Sequence, residues 1–330
     1  MMKKRAADLA LAGAEKVYGY GVRAIHWGFR RGILRKHRLP VKVVSVGNLT
    51  WGGTGKTPLV IHLARALQSH GRRVAVLTRG YGEDESLLMA EKLAPIPVLV
   101  GPDRVATGTR AVREHGADLL LLDDGYQQWR LQKDLEILTA DAEQPFGNGR
   151  LIPRGTLREP PAAAARADLI VLKGKSSAQA RAQVKRVNPA APLFFVTYEP
   201  DRMRRWPDGK EVPLKSLKGR AVCTMAGIGD PRQFEEMVAG LEARIGIRHR
   251  AGDHHRYTAG ELIRLVSRCQ RHGIQTVVTT EKDAVRIPRI FRETVGPKLK
   301  ETEVWVLEIK PRFEPDESEL LHRIHTVLAG

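Results

Sequence analysis

The sequence predicts an α/β protein with a mostly parallel sheet, helices on both of its faces, and a smaller α/β unit after it. Three observations carry this. Past Pro40, short apolar runs alternate with amphipathic segments. The runs are nearly continuous, as in strands buried on both faces, rather than alternating apolar and polar. A glycine-rich stretch, "SVGNLTWGGTGKTP" (45–58), lies between the first run and the first amphipathic segment.

Taken in order, residues 42–46 read as a buried strand, 57–70 as a helix and 72–78 as a strand. A polar loop (79–85), a short helix near 86–93, the strand 97–101 and a helix near 103–115 follow. "DLLLLD" (118–123), "LEILTA" (135–140) and "DLIVLK" (168–173) are strands, the last two separated by a long Gly/Pro-rich loop. After "LFFVTYE" a second unit starts near residue 200. It has strands at 220–228 and 247–251, helices near 231–244 and 258–272, and a strand at 276–280. "EVWVLEI" and "ESELLHRIHTVLAG" close the chain as strand and helix. The expected domains are 1–38 as a basic amphipathic helix, 39–200 as the core, and 201–330 as a smaller unit closing over the active site.

The N-terminal segment stands apart. Leu11, Tyr18, Val22, Ile25, Phe29 and Ile33 share one helical stripe, while Lys16, Arg23, Arg30, Arg31 and Arg35 lie outside it. Lys3, Lys4 and Arg5 add to the charge, and the whole chain carries +18. Such a helix suits an anionic bilayer surface, and it equally suits docking on a protein core with solvated cations. Nucleic acid is a poor fit, because the segment has few aromatics for base stacking and no module signature. With 330 residues, 42% of them hydrophobic, the chain can bury a sizeable core. Two cysteines, Cys223 and Cys269, show neither metal nor redox spacing and suggest a reducing compartment. No apolar run reaches the roughly 20 residues of a spanning helix, and no signal peptide is evident, so the expected place is the cytosol or a membrane surface facing it.

The chemistry concentrates at the glycine-rich stretch. A phosphate-binding loop reads G-x-x-x-x-G-K-[ST], and here Thr50 stands where the first glycine belongs. The strand–loop–helix context is nevertheless right. Thr50, Trp51, Gly52, Gly53, Thr54, Gly55, Lys56 and Thr57 form the expected nucleotide cradle, with Lys56 for the β/γ-phosphates and the Thr57 hydroxyl for Mg²⁺. Asp123 and Asp124, directly after four leucines, supply the strand-end carboxylates such a loop requires. The fold expected from both halves is that of P-loop NTPases, with ATP and Mg²⁺ as cofactors. Trp51 occupies the place of the second lysine in membrane-positioning ATPases, and no guanine-reading N-K-x-D occurs.

Further stretches narrow the class: "TRGYG" (78–82), "VGPDR" (100–104), "DDGYQQWRLQKDLEI" (123–137), "FGNGRLIPRGTLREP" (146–160), "GDHHRYT" (252–258) and "TTEKDAVRI" (279–287). With the loop, they resemble in order the motifs of the tetraacyldisaccharide 4'-kinases (lipid A 4'-kinases) of Gram-negative bacteria, over nearly the whole chain. Thr50 agrees with the small hydroxyl residue usual there. The resemblance implies transfer of the ATP γ-phosphoryl to the 4'-hydroxyl of an acylated glucosamine disaccharide 1-phosphate. It implies a peripheral protein on the cytoplasmic face of the inner membrane, with a lipid substrate, no nucleic acid and no obligate protein partner. By alignment Asp84 of "EDES" is the base, with Glu85 a competitor because both flanking residues depart from G-D-E-P. His254 is its partner, with His255 second. Glu159 is implied as a further Mg²⁺ ligand, and Arg79, Arg104 and Arg158 as phosphate or acceptor contacts or structural ion pairs. Gln128 replaces the family's usual histidine. The runner-up is a membrane-positioning P-loop ATPase, which leaves "EDES", "LREP" and "DHHRY" without a role.

Overall fold

The computed structural model describes residues 2–80, 83–288 and 302–329, without the side chains of residues 2–7 and 83. The expected contribution of Lys3, Lys4 and Arg5, and Tyr81 and Gly82 of "TRGYG", therefore lie outside the described residues. Two compact units emerge, one of residues 1–81, 89–197 and 311–330, the other of 82–88 and 198–310.

In the first unit, β1 (Lys42–Asn48) pairs in parallel with β4 (Leu119–Asp123) on one side and β5 (Leu135–Asp141) on the other. β2 (Val74–Thr78) pairs with β4, and β3 (Val98–Val100) with β2. β6 (Leu169–Lys173) joins β5 to the first residues of β7 (Leu193–Trp206). The order β7-β6-β5-β1-β4-β2-β3 is parallel throughout. This explains why the strands read as unbroken apolar runs: every residue of β2 and β4 is buried. In the register Val46 lies opposite Asp123, so the segments leaving β1 and β4 emerge side by side. In open parallel sheets the carboxyl ends of the strands are where ligands bind.

Helix α1 (Met2–Arg30) precedes the sheet. Next, α2 (Lys56–Ser69) buries Leu59, Val60, Leu63, Ala64 and Leu67. α3 (Glu83–Leu93) follows β2, and α4 (Arg104–His115) begins at an Asp103 cap that accepts from the Val105 and Ala106 amides. α5 (Ala178–Val187) starts from a Ser177 cap.

In the second unit, β9 (Ala221–Ala226) pairs in parallel with β10 (Arg244–Arg250) and β11 (Thr276–Thr280), and β11 with β12 (Glu303–Glu314). The later residues of β7 pair antiparallel with the short β8 (Glu211–Val212). Among the described residues, α6 (Pro231–Gly240), α7 (Ala259–Arg271) and the one-turn α8 (Glu281–Ala284) accompany these strands. Thr258 caps α7 by accepting from the Glu261 amide, and Thr280 caps α8 by accepting from that of Asp283. The chain ends with α9 (Glu317–Ala329), which buries Leu320, Ile324 and Leu328.

Four details differ from the sequence expectation. α1 stops at Arg30 rather than near 38, because Gly32 turns left-handed (φ 72°) and the Ile33 and Leu34 amides fold back onto the Gly28 carbonyl. α6 ends at Gly240 instead of 244, where Glu242 takes φ 61° and the chain turns into β10. α3 begins at Glu83, so Asp84 and Glu85 sit in a helical first turn and not in a polar loop. Residues 311–330 group with the first unit and 82–88 with the second, whereas the linear reading assigned them the other way. Among the described residues, no helix is long and apolar enough to cross a membrane.

Candidate active site

In the first unit the loop between β1 and α2 is held from beneath by a buried polar chain. The Asn48 amide donates to the Thr50 carbonyl at 2.6 Å and to Thr54 Oγ1 at 3.0 Å; Thr54 in turn meets Thr139 Oγ1 at 3.0 Å. On its outer side the Trp51 amide donates to the Thr156 carbonyl at 2.7 Å. Gly55 caps α2 in the left-handed region (φ 77°) and Gly52 has φ 122°, conformations that glycine adopts without a Cβ penalty. Lys56 and Thr57 are thus the first two residues of a long helix, where exposed N–H groups and the helix dipole favour anions. A cavity of about 300 Å³ opens beside the loop, lined by Thr50 to Thr54 and by Asp141, Gln144 and Thr156. Trp51 remains 62% exposed.

The carboxylates after β4 point to different partners. Asp123 is buried and accepts from Thr78 Oγ1 at 3.1 Å. Asp124 takes the left-handed conformation (φ 54°), uncommon for a side chain larger than glycine's, and lies 3.5 Å from Lys56 Nζ. Arg158 Nη1 donates to both Asp124 oxygens, at 2.9 and 2.8 Å. Burial works against the charge on Asp124, but Lys56 and Arg158 outweigh it and hold the carboxyl below its ordinary range. Lys56, Asp124 and Arg158 are therefore brought together from three separate stretches of the chain.

The remaining expected residues of this unit divide. Arg104 is 2% exposed and donates to the Gly101 and Asp123 carbonyls, bracing the β4 end from behind. Arg79 is exposed at the end of β2. Both oxygens of Glu159 are engaged: Oε1 accepts from Gln127 at 2.9 Å and Arg166 at 2.8 Å, and Oε2 faces Arg166 at 2.7 Å and His26 at 3.0 Å. Burial opposes its ionisation, yet His26, Arg166 and Gln127 bring the carboxyl down to about 2. A carboxylate has about four acceptor positions; Gln127 and Arg166 donate into three of them, and the His26 ring nitrogen lies beside Oε2 without the alignment of a hydrogen bond. Glu159 therefore stands as the centre of an ion-pair cluster.

α1 docks on this cluster. Tyr18 Oη donates to the Arg158 carbonyl at 2.9 Å, Glu15 accepts from the Leu151 amide at 3.0 Å, and the His26 ring lies 4.1 Å from that of Trp129. Tyr18, Val22 and Phe29 of the apolar stripe thus turn partly inward, while Leu11 and Ile25 of the same stripe stay exposed. Leu9, Val17, Tyr20 and Trp27 instead form the exposed apolar side.

In the second unit, Asp84 is 8% exposed and faces three cationic or imidazole groups. Arg286 Nε donates to Oδ2 at 2.8 Å and its Nη2 to the same oxygen; His254 Nδ1 lies 3.1 Å from Oδ1; Lys282 Nζ is 3.9 Å away. Burial raises the Asp84 pKa, but Arg286, Lys282 and His254 together lower it below the usual value. Arg286 is itself fixed by the Gly227 carbonyl and by Asp283, whose carboxylate also accepts from Tyr257, Thr280 and the Gly227 amide. Glu85 pairs with Lys282 at 3.0 Å instead of His254. His255 turns to Glu261 at 2.8 Å. His254 has φ 60°, a conformation that sets it apart from its neighbour.

Sequence reasoning assigned no role to Gln127, Arg166, Lys282 or Arg286. Gln127 donates to the Asn48 carbonyl as well as Glu159 and accepts from Arg158, so it ties the loop's root to the ion pairs. Gln127, Lys282 and Arg286 lie within the stretches "DDGYQQ" and "TTEKDAVRI", so the signal was present as a motif without a chemical assignment. Among the described residues, no three His, Cys, Asp or Glu side chains form a ready-made metal cluster. Mg²⁺ sites completed by substrate phosphates do not require one.

Comparison with known proteins gives a consistent picture. The chain matches the family described as tetraacyldisaccharide-1-P 4'-kinase over residues 7–84 and 83–329. A tetraacyldisaccharide 4'-kinase of Syntrophus aciditrophicus is 39% identical over 294 residues, covering 78% of this chain and 79% of the relative. Another, from Chromobacterium violaceum, is 34% identical over 337 residues, covering 96% and 94%. A crystal structure of LpxK from Aquifex aeolicus, in complex with ATP, is similar with a TM-score of 0.72 and 27% identity, over 98% of this chain and 99% of that one.

Proposed function

The chain belongs to the tetraacyldisaccharide 4'-kinase family, and from that premise we propose which of its residues perform each part of the transfer. The reaction is phosphorylation of the 4'-hydroxyl of an acylated glucosamine disaccharide 1-phosphate in lipid A biosynthesis. The loop from Thr50 to Thr57 cradles the ATP phosphates, with backbone amides at Gly52, Gly53 and Gly55 and the N-terminus of α2 facing the negative charge. Lys56 follows the β/γ-phosphates. The observation that carries this reading is Lys56 held 3.5 Å from Asp124 at the mouth of a left-handed glycine cap.

The donor set fits a hard divalent cation: the Thr57 hydroxyl and the Asp123 and Asp124 carboxylates offer oxygen only. Mg²⁺ bound there would neutralise charge on the phosphate oxygens. Arg158 keeps Asp124 ionised and oriented, while Gln127, itself donating to Glu159, accepts from the Arg158 guanidinium. Asp84 accepts the proton of the acceptor hydroxyl, and His254 orients that carboxylate. A low pKa makes Asp84 a weak base at rest; it is ready at neutral pH because it is already ionised, and the bond forming between the acceptor oxygen and the incoming phosphoryl group lowers the hydroxyl's proton affinity as the bond to ADP breaks.

The acceptor is a lipid, and the exposed apolar side of α1 with its flanking cations suits the cytoplasmic surface of the inner membrane. Incubating the protein with γ-labelled ATP, Mg²⁺ and the acylated disaccharide 1-phosphate tests the reading. Label in a glycolipid bisphosphate is expected; ATP hydrolysis without lipid labelling overturns it in favour of a membrane-positioning ATPase.

A further inference from the structure

α1 is set against the site by a row of polar side chains on one face. Glu15, Tyr18 and His26, spaced three and eight residues apart, all reach the segment 150–159. Glu15 accepts from the Leu151 amide at 3.0 Å and lies 3.8 Å from both Arg150 and Arg154. Tyr18 donates to the carbonyl of Arg158, and His26 lies 3.0 Å from the carboxylate of Glu159. The same two residues, Arg158 and Glu159, connect onward. Arg158 grips Asp124 with Nη1, and Glu159 accepts from Gln127, whose amide also donates to the Asn48 carbonyl at the root of the phosphate loop. The Arg158 amide itself donates to the Leu49 carbonyl at 2.7 Å. His26 is wedged between Glu159 and the Trp129 ring, and Phe29 lies beside the same ring with centroids 6.3 Å apart.

A helix needed only to rest on a membrane has no reason to send three polar side chains into the segment that orients a phosphate-site carboxylate. Apolar docking alone would attach it. Polar partners specify one register instead, since a shift of one residue turns the helix by about 100° and removes all three contacts. We propose that α1 is a positioning element of the phosphoryl-transfer site, in which His26, with Tyr18, fixes the Arg158–Glu159 pair and thereby the orientation of Asp124. His26 is a positioning residue; it acts on the reaction only through Glu159, Arg158 and Asp124. The inference rests on the reading of Asp124 and Lys56 as part of that site, and goes beyond the helix's attachment to a membrane.

The test uses the full chain in detergent with a dispersed lipid acceptor, so that attachment to a bilayer does not limit turnover. His26→Ala, His26→Gln and Tyr18→Phe are compared with the parent protein in three measurements. The first is hydrogen exchange over 150–159 in protein free of nucleotide and metal. The second is the Mg²⁺ dependence of binding a fluorescent ATP analogue. The third is kcat and KM for the acceptor. Substituting residues that orient metal ligands typically costs about 10- to 100-fold in metal affinity or activity. His26→Ala is expected to speed exchange in 150–159, to raise the Mg²⁺ needed for half-maximal binding by about tenfold, and to lower kcat with little change in KM. His26→Gln, which keeps a polar side chain beside Glu159, is expected to recover most of the loss, and Tyr18→Phe to show a smaller effect of the same kind. A lower melting temperature or faster exchange in His26→Ala without change in Mg²⁺ dependence or kcat would overturn the inference alone, leaving α1 a merely docked helix. Absence of Mg²⁺-dependent nucleotide binding in the parent protein would overturn the site reading and the inference together.

Discussion

Asp84 accepts from Arg286 through one oxygen and faces His254 with the other, so its ionised state is stabilised from both sides. Its lowered pKa means that the stability from this pairing is fully present above the unfolded-state value and fades only as pH falls through the still lower folded one. Asp84→Asn is expected to retain ATP binding and to lose about 10²- to 10⁴-fold in turnover, read from initial rates of lipid phosphorylation. Full activity would move the role to Glu85. Arg286→Gln removes the main opponent of burial, so the Asp84 pKa rises and the acid limb of the kcat/KM profile should move to higher pH; an unmoved limb counts against Asp84 as the titrating group. At the phosphate loop, Lys56→Ala should abolish nucleotide-dependent turnover, and Thr57→Ala should raise the Mg²⁺ requirement in the same assay. The residues that the sequence disclosed best were those whose role depends on a local pattern, such as Gly55–Lys56–Thr57 and the paired aspartates after four leucines. Arg286, Lys282 and Gln127 were not assigned, because their roles arise from partners that only the tertiary fold supplies; Arg286 lies 202 positions from Asp84.

At the scale of elements, the strands of the parallel sheet were legible because burial on both faces leaves continuous apolar runs, and their limits agree to within a few residues. The helix ends were less so, since Gly32 and Glu242 end α1 and α6 through left-handed turns that no periodicity announces. The start of α3 was missed for a different reason: "EDES" is polar throughout and gives no apolar stripe to register a first turn. The apolar stripe of α1 was visible, but which of its sides meets protein depends on partners at 129 and 150–159. The approach of β1 to the turn after β4 gives a test at this level. A Cβ on Gly47 would lie 2.5 Å from the Tyr126 amide nitrogen, a distance that backbone must move to relieve. Gly47→Ala is expected to destabilise the protein by about 1–3 kcal/mol in a denaturant titration and to lower kcat, since Tyr126 follows Asp124 by two residues. An unchanged midpoint would mean that this turn yields more readily than its packing suggests.

For the whole molecule, the +18 charge and the two sides of α1 bear on how a protein without a described membrane-spanning helix reaches a lipid acceptor. The inward side is committed to Arg158, Glu159 and Trp129, whereas Val17 is 73% and Trp27 53% exposed on the other. Lys16, Arg23 and Arg30 border that exposed side on the helical wheel, the arrangement expected for an anionic surface. Deleting residues 1–36 removes both sides at once and so cannot separate attachment from positioning. Val17→Glu combined with Trp27→Glu changes only the exposed side: each lost apolar insertion removes about 1.5–3 kcal/mol of transfer energy and adds a charge of the lipid's own sign. The double variant should bind phosphatidylglycerol vesicles at least tenfold more weakly in co-sedimentation, and residual binding should fall further with added salt. Its turnover on detergent-dispersed acceptor should stay within about twofold of the parent, because Tyr18, His26 and the 150–159 segment are untouched. Undiminished vesicle binding would place the membrane contact elsewhere on the basic surface. Equal loss of binding and of detergent-phase turnover would mean that the two sides of α1 do not act independently.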